Sequence, residues 1–247
     1  MSFSPEWLAL REPADADARA ADLVDLLDLP AGPLEIHDLG CGTGSMARWL
    51  APRLPGDQHW VLHDRDPVLL AHAVAAMPPG VTATAAPGDL AGLTAADLAG
   101  ASLVTTSALL DLLTEPQVTR LAEACAGTPA LLTLSVAGRV TFDPADELDA
   151  AFADAFNAHQ RRGGLLGPDA PAAAAAAFEK QGAAVELRAT PWRLGPDRAA
   201  LAAEWLAGWV GAAVEERPDL PGPAYLQRRL AAGFTAEVQH VDLLART

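Results

Sequence analysis

A glycine-rich stretch at residues 35–44, which reads EIHDLGCGTG, constrains the fold more than any other part of the chain. Its first half is a short strand-like run, and a helical pattern follows at residues 45–54. Gly40, Gly42 and Gly44 alternate, so the backbone can turn sharply and leave no side chains in the way of a ligand. The N-terminus of the helix then points at whatever the loop holds. The unit predicts an open α/β sheet that binds a nucleotide-like ligand at the carboxyl ends of its strands.

The spacing of the loop distinguishes between nucleotide ligands. A dinucleotide fingerprint, G-x-G-x-x-G, would place its last glycine at position 45, which is Ser45. The pattern is instead D-x-G-x-G-x-G, and its acidic residue is Asp38. A second acidic residue, Asp64, follows the next apolar run about 20 residues after the glycines, where it would accept hydrogen bonds from a ribose diol. Asp66 and Pro67 then have the pattern of a helix cap and first helical residue.

Together these residues resemble motif I and the following motif of the class I S-adenosylmethionine-dependent methyltransferases. Residues 64–70, DRDPVLL, match that family's D-x-(S/D)-P-x-x-L, and Asp89 follows a third strand-like stretch. The resemblance implies S-adenosylmethionine as cofactor, with Asp38 near its amino end, Asp64 at its ribose and Asp89 at its adenine. Asp89 also suits a plain turn. The predicted cofactor-binding residues are Asp38, Gly40, Cys41, Gly42, Thr43, Gly44, Asp64, Arg65, Asp89, Leu90 and Thr106.

Short strand-like and helical runs alternate along the chain, which predicts a doubly wound, mostly parallel α/β sheet with helices on both faces. We expect strands near 35–39, 59–63, 82–86, 102–106, 130–136, 185–189 and 235–246. We expect helices near 45–54, 67–76, 94–99, 115–126, 143–162, 168–181, 197–216 and 222–233. The resemblance implies seven strands, the last of them antiparallel.

Four segments are predicted around this sheet. Residues 1–33 form an N-terminal helical lid, in which 11–13 separate two helices, and residues 34–137 form the Rossmann-like cofactor-binding core. Residues 138–182 form a helical cap insertion and a helix. Residues 183–247 hold the final strands, with a helical insertion at 197–233 that serves as substrate cap or as a dimer interface.

The charge and the cysteine content limit the classes of partner that we expect and the cellular compartment. Acidic residues number 32 against 17 basic ones, and the formal net charge of −15 disfavours nucleic acid and anionic membranes. No apolar run is long enough to cross a bilayer, and no basic, apolar leader is present. The chain has two cysteines, Cys41 and Cys125, which do not suggest a disulfide framework. We interpret Cys41 as a small residue that fills space in the glycine loop. We therefore expect a cytoplasmic protein with a small-molecule partner, and a homodimer as a further option.

The end of the fourth strand is where methyltransferases usually meet their substrate. Residues 106–111, TSALLD, lack the N-P-P-Y type of motif that accompanies methylation of exocyclic amino groups in DNA or of protein glutamine. The chain also shows no clear set of acidic metal ligands of the catechol-methylating type, so we expect no metal. Asp111 is a candidate catalytic residue, or it begins the next helix.

A histidine ends an apolar stripe on a later helix. Leu148, Phe152, Phe156 and His159 share one face by their spacing. His159 is either a hydrogen-bonded core residue or a general base at the cleft, since a histidine titrates near neutral pH.

Arginines and aromatic residues are candidates for acceptor binding. Arg139 would anchor an anionic substrate, and Arg11 would meet a carboxylate or pair with a nearby acid. The predicted substrate-binding residues are Arg11, Arg139, Phe152, Phe156, Trp192 and Trp205. Trp205 and Trp209 share a helical face, which suits a core, an interface or a pocket wall.

The sequence favours an S-adenosylmethionine-dependent methyltransferase that acts on a small molecule by in-line displacement. The chain also bears a general likeness to bacterial small-acid methyltransferases of the trans-aconitate type. One alternative is a catalytically inactive relative that binds the cofactor as a partner or regulatory subunit. A third hypothesis is a nucleotide-dependent oxidoreductase. Ser45 disfavours it, because a dinucleotide fingerprint would have glycine at that position.

Overall fold

The computed structural model describes residues 4–246, so residues 1–3 and 247, the ends of the predicted first and last segments, lie outside the description. The strands are β1 Leu34–Leu39, β2 Gln58–Asp64, β3 Thr82–Pro87, β4 Leu103–Ser107, β5 Ala130–Asp143, β6 Ala184–Ala189, β7 Trp192–Leu194 and β8 Thr235–Arg246. The helices are α1 Pro5–Ala18, α2 Ser45–Leu50, α3 Pro67–Ala75, α4 Glu115–Ala124, α5 Asp149–Gln160, α6 Ala170–Lys180, α7 Ala199–Glu216 and α8 Gly222–Ala232.

The strands form one sheet in the order β3-β2-β1-β4-β5-β8-β6, and β7 also pairs with β8. Strands β1 to β5 are parallel, while β8 is antiparallel to β5 and β6. The strand order changes direction between β1 and β4, which places a binding crevice at their carboxyl ends. The predicted doubly wound α/β fold with an antiparallel last strand is confirmed. The short β7 brings the strand count within residues 4–246 to eight.

Apolar residues from helices cover both faces of the sheet. On one face, Met46 and Leu50 of α2 pack with Leu23 against the buried strands. On the other face, α4 and α6 supply residues such as Val118 and Phe178. Because the central strands are covered on both sides, their residues read as nearly continuous apolar runs. Among residues 4–246, the structure contains no helix with both the length and the apolar character needed to span a bilayer.

Strand β5 runs past the predicted 137/138 boundary to Asp143, where it pairs with Thr235 of β8. The two strand ends project beyond the parallel sheet, and α5, α7 and α8 pack on them through a third apolar core. The helix predicted from residue 143 begins only at Asp149, and Asp143 itself is still paired in the β5–β8 ladder. The division into four segments stays a prediction.

Three other local predictions are wrong. Helix α1 continues through Pro13, where a break was expected, and the second lid helix is reduced to a 3₁₀ segment at Ala21–Leu26. Pro13 and Ala9 are both exposed, so water can reach the carbonyl that the missing proline N–H leaves unpaired. Residues 95–100 form turns and not the helix predicted at 94–99.

The carboxylate of Asp242 fastens three segments together. The residue is fully buried on β8, and its Oδ1 accepts hydrogen bonds from the backbone N–H of Leu134 (2.7 Å) and from the hydroxyl of Thr190 (2.9 Å). Its Oδ2 accepts one from the backbone N–H of Ala20 (2.9 Å). Leu134 has a φ of +56° at a bulge of β5, so Asp242 holds an irregular strand, the β6–β7 junction and the segment after α1.

Candidate active site

The glycine loop connects β1 to α2 with a backbone that only glycine adopts without strain. Gly40, Gly42 and Gly44 have φ values of +67°, +56° and +85°. A Cβ added at Gly40 would lie 3.1 Å from a Leu109 methyl carbon, and one at Gly44 would lie 3.2 Å from the Cα of Ala73. The loop therefore needs glycine for its conformation and, at two positions, for close packing.

Asp64 ties the loop after β1 to the loop after β2. Its Oδ2 accepts a hydrogen bond from the backbone N–H of Gly42, and its Oδ1 accepts one from the backbone N–H of Asp66, both at 2.9 Å. The Cys41 N–H donates to the carbonyl of His63 in the same region (2.9 Å). Each carboxylate oxygen of Asp64 keeps further acceptor capacity, which a diol at this edge would use.

Asp38, at the end of β1, is fully buried. Its Oδ1 accepts a hydrogen bond from the Thr105 hydroxyl (2.9 Å), and its Oδ2 has no partner within residues 4–246. Burial raises the pKa of this carboxyl to about 7, while the Thr105 hydrogen bond and the charge of Arg19 oppose the rise. Strand β1 thus places Asp38 Oδ2, a hydrogen-bond acceptor without a partner in the described residues, at the bottom of the crevice.

A cavity of about 380 Å³ opens over these residues. It is lined by most of the residues predicted to bind cofactor, namely Asp38, Gly40, Cys41, Gly42, Thr43, Asp64, Arg65, Asp89 and Leu90. Gly44 and Thr106 do not line it: Gly44 precedes α2 and packs on Ala73, and Thr106 is buried within β4. We call this cavity the cofactor cleft.

Helix α1 forms one wall of the cofactor cleft through Leu8, Arg11 and Asp15. The helix is held there by an ion pair in which the Arg48 Nε of α2 donates to the Glu12 carboxylate (2.7 Å). Arg48 also donates through Nη1 to the carbonyl of Thr43 in the glycine loop (2.6 Å).

A buried arginine lies behind the cleft. Arg19 donates through Nη2 to the hydroxyls of Ser45 (3.2 Å) and Ser107 (3.0 Å). Burial lowers its pKa, and the nearby acids Asp15 and Asp242 oppose that shift. No sequence pattern marked Arg19, because its partners come from α2 and β4, far along the chain.

A second cavity, of about 190 Å³, adjoins the cofactor cleft, and Arg11, Ala108 and Leu112 line both. We call it the aromatic pocket, because its wall contains Trp7, Phe156, Trp192, Trp205 and Trp209. Of the residues predicted to bind or convert the acceptor, Arg11, Asp111, Arg139, Phe156, Trp192 and Trp205 line it.

Arg11, which lines both cavities, is paired with Asp15, which lines the cofactor cleft. The Nε and Nη2 of Arg11 donate to the two carboxylate oxygens of Asp15 at 2.9 and 3.1 Å. The guanidinium lies over the Trp192 ring, 4.8 Å from its centroid, and the Trp192 indole N–H also donates to Asp15 (3.0 Å). Of the two alternatives for Arg11, the structure shows the pairing with an acidic side chain.

Asp111 lies in a 3₁₀ turn, Leu110–Leu112, that follows β4. It is buried, and its Oδ1 has no hydrogen-bond partner in the described chain. Burial raises the pKa of the Asp111 carboxyl to about 6, against the effect of a backbone hydrogen bond and of Arg11. Asp111 does not begin α4, which starts at Glu115 after the Thr114 cap.

Two predicted residues lie elsewhere. His159 lines neither cavity: its Nε2 is 3.1 Å from a carboxylate oxygen of Glu215 near the end of α7. Phe152 is fully buried and stacks on Tyr225, with ring centroids 4.2 Å apart. The helical stripe runs along the α5–α7 contact, so only Phe156 reaches the pocket and the roles expected for His159 and Phe152 do not fit their positions.

Several residues of the aromatic pocket were not predicted, among them Trp7, Gln160 and His240. Burial lowers the pKa of His240 to about 3, so its ring is neutral. The alternation of buried residues at even positions along β8 marks His240 as inward-facing, but nothing in the sequence places it beside α1 or α5.

Comparisons with known proteins agree with this geometry. A family model described as a methyltransferase domain matches residues 36–128. Trans-aconitate 2-methyltransferase of Streptomyces avermitilis is 40% identical over 75 residues, which span 29% of this chain and only 28% of that protein.

Two solved structures share the fold. The cyclopropane synthase MmaA2 of Mycobacterium tuberculosis matches with a TM-score of 0.54 and 16% identity, over 99% of this chain and 95% of that one. An S-adenosylmethionine-dependent methyltransferase of Geobacter sulfurreducens, solved with S-adenosyl-L-homocysteine, matches with a TM-score of 0.50 and 16% identity over the whole of both chains. Residues 36–128 thus match a methyltransferase domain, and the chain shares its fold with these two structures.

Proposed function

We propose that the protein transfers a methyl group from S-adenosylmethionine to a small-molecule acceptor. The observation that carries the proposal is the pair of adjoining cavities at the end of β4, one over the glycine loop and one lined by aromatic residues. A methyl donor in the first and an acceptor in the second would meet near Ala108 and Leu112, which line both.

The residues of the cofactor cleft suit S-adenosylmethionine. The unpartnered Oδ2 of Asp38 suits the cationic amino group of the cofactor, and the spare acceptor capacity of Asp64 suits its ribose diol. Asp89 and Leu90 line the cleft after β3, where the adenine would lie by family resemblance. The cofactor supplies a methyl group activated on a sulfonium.

The chain has three tasks in such a reaction: to align the acceptor, to exclude water and to accept a proton if the acceptor arrives protonated. Helix α1 forms one wall of the cleft and would help to exclude water. Asp111 is the proposed proton acceptor, because it lines the aromatic pocket with an unpartnered carboxylate oxygen. The acceptor heteroatom would form the new bond to the methyl carbon, the electrons of the broken C–S bond would stay on sulfur, and the acceptor proton would pass to Asp111.

A small molecule is the proposed acceptor class because the aromatic pocket is small and the protein carries a net charge of −15. The relative from Streptomyces avermitilis is named for a small acid, and this supports the same class here. We also propose that the protein is cytoplasmic and that it forms a homodimer. Sedimentation velocity tests whether it is a dimer.

The first experiment is a calorimetric titration with S-adenosyl-L-homocysteine of the wild type, of Asp64→Ala and of Asp57→Ala, an exposed acidic control. We expect micromolar binding that Asp64→Ala weakens at least tenfold and Asp57→Ala leaves unchanged. Absence of binding to the folded wild type would refute the cofactor assignment. Binding without methylation of any member of a broad acceptor set would instead favour an inactive cofactor-binding relative.

A further inference from the structure

The wall of the aromatic pocket has polar atoms that the protein leaves unpaired. Asp111 Oδ1, Gln160 Oε1, Trp209 Nε1 and His240 Nδ1 are buried and have no hydrogen-bond partner within residues 4–246. All four residues line this one cavity. Buried polar groups are nearly always hydrogen-bonded, so a cluster of exceptions around one cavity points to a ligand with polar groups of its own.

The shape of the pocket favours a planar ring. Its aromatic walls come from α1, α5, β7 and α7, and the rings of Trp205 and Trp209 stack with centroids 5.8 Å apart and planes 28° from parallel. Indole faces prefer the offset or edge contacts that another aromatic ring provides. A volume of about 190 Å³ compares with about 150 Å³ for a cavity that holds benzene, so one substituted ring fits.

A bulge in β5 brings a cation to this pocket. Val136 pairs with His240 and Val140 pairs with Val238, so residues 137–139 face the single residue Gln239. Bulges of this kind redirect side chains. Arg139, on the bulge, lines the pocket, is exposed to solvent and has no hydrogen bond or ion pair within the described chain. An unpaired guanidinium at the mouth of a pocket suits a carboxylate.

The polar groups therefore differ between the two parts of the pocket. Arg139 offers donors near solvent, while the buried Asp111 offers an acceptor. Arg11 is already held by Asp15 with both Nε and Nη2, so it contributes little to a second anion. An occupant with three carboxylates, such as trans-aconitate, would have only one unpaired arginine to meet.

We propose that the aromatic pocket binds a small aromatic acid that also carries a hydroxyl or amino group. The ring lies among the indoles, the carboxylate meets Arg139, and the hydroxyl or amino group donates to Asp111. This inference deepens the proposed function and rests on it only in taking that donor group as the site of methylation. The binding itself does not require cofactor turnover.

The probe is 4-hydroxybenzoate, titrated by tryptophan fluorescence and calorimetry into the full chain, with and without saturating S-adenosyl-L-homocysteine. We expect a Kd on the order of 10–100 μM, as for a ligand of about ten non-hydrogen atoms that is well enclosed. Two matched ligands test the chemistry: 4-hydroxycyclohexanecarboxylate, which lacks the aromatic ring, and trans-aconitate. Each should bind at least tenfold more weakly.

Three variants test the assigned contacts. Arg139→Gln should weaken 4-hydroxybenzoate about tenfold and leave its neutral analogue 4-hydroxybenzyl alcohol unchanged, while Arg193→Gln, an exposed arginine outside the pocket, should change neither. Trp205→Leu should weaken both aromatic ligands about tenfold. Circular dichroism and thermal melting of each variant establish that it is folded.

The outcomes separate this inference from the proposed function. If the wild type binds S-adenosyl-L-homocysteine but not 4-hydroxybenzoate, the aromatic-acid inference is refuted and the cofactor assignment stands. Equal affinity for the saturated acid, or no effect of Arg139→Gln and Trp205→Leu in folded protein, also refutes it. Binding of 4-hydroxybenzoate without any binding of S-adenosyl-L-homocysteine would support the pocket and refute the proposed methyl transfer.

Discussion

Replacement of Asp38 by asparagine should change how stability depends on pH. The fully buried carboxyl has a pKa of about 7, compared with 3.8 for an ordinary aspartate. At a pH between these two pKa values, the Asp38 carboxyl is protonated in the folded protein and ionised in the unfolded chain. The stabilisation from that proton is fully present below pH 3.8 and is lost as the pH rises to about 7.

The magnitude follows from the size of the shift. Each unit of pKa difference corresponds to about 1.4 kcal/mol. The free energy of unfolding of the wild type should therefore fall by about 3 kcal/mol between about pH 5 and pH 7 because of this residue. Asparagine has the same shape, can still accept the Thr105 hydroxyl and does not ionise. The variant should match the wild type below about pH 4 and be more stable near pH 8 by about 4 kcal/mol.

Urea denaturation across this pH range measures the effect, with Asp57→Asn as a surface control. The raised pKa values of Asp111 and Asp242 act in both proteins, so the difference between the two curves isolates Asp38. Parallel curves for wild type and Asp38→Asn would refute the assignment of a buried, protonated carboxyl. The same variant should bind S-adenosylmethionine more weakly near pH 8, because the ionised carboxylate favours a cationic ligand.

Three further predictions concern packing, hydrogen bonding and proton transfer. Gly138→Ala should lower the free energy of unfolding by about 2–4 kcal/mol, since Gly138 has a φ of +69° and a Cβ would lie 2.5 Å from the Cβ of Pro168. Gly127→Ala, with a φ of +83° and open space around it, should cost only about 1–2 kcal/mol, and equal losses in urea denaturation would contradict the steric argument. Asp242→Ala leaves three donors unpaired and should cost about 3–5 kcal/mol, whereas a loss below about 1 kcal/mol would show that the three hydrogen bonds contribute little. If methyl transfer requires the ionised form of Asp111, kcat with a protonated acceptor should fall as the pH drops below about 6, and Asp111→Asn should abolish that dependence as well as most of the activity.

Local pattern was sufficient for the elements around β1 and β2 in the cofactor cleft. The alternation of Gly40, Gly42 and Gly44, and the Asp66–Pro67 cap, each act over a few residues, so the strands and helices around them could be predicted closely. The long helical insertion before β8 was also predictable, because Leu201, Trp205 and Trp209 recur at helical spacing.

The aromatic pocket depends on information that no local pattern contains. Trp7 and His240 meet in its wall although more than 200 residues separate them in sequence. The β5 bulge that presents Arg139 exists only in relation to the partner strand β8, so the apolar run of β5 did not reveal it. His159 illustrates the same limit: its helical face was predicted correctly, but which neighbour that face meets is a tertiary fact.

The attachment of Ala20 to Asp242 has a consequence for the order in which the protein is assembled. The two residues are 222 positions apart, so the segment after α1 leaves the ribosome long before its anchor on β8. Contacts of such large sequence separation form late, because a long loop must close first. Helix α1 is thus synthesised well before β8, but the hydrogen bond that fastens its end forms only after β8 has emerged. A nascent chain that stops short of β8 would display an open nucleotide crevice, and protease cleavage near Ala20 in stalled chains would report that state.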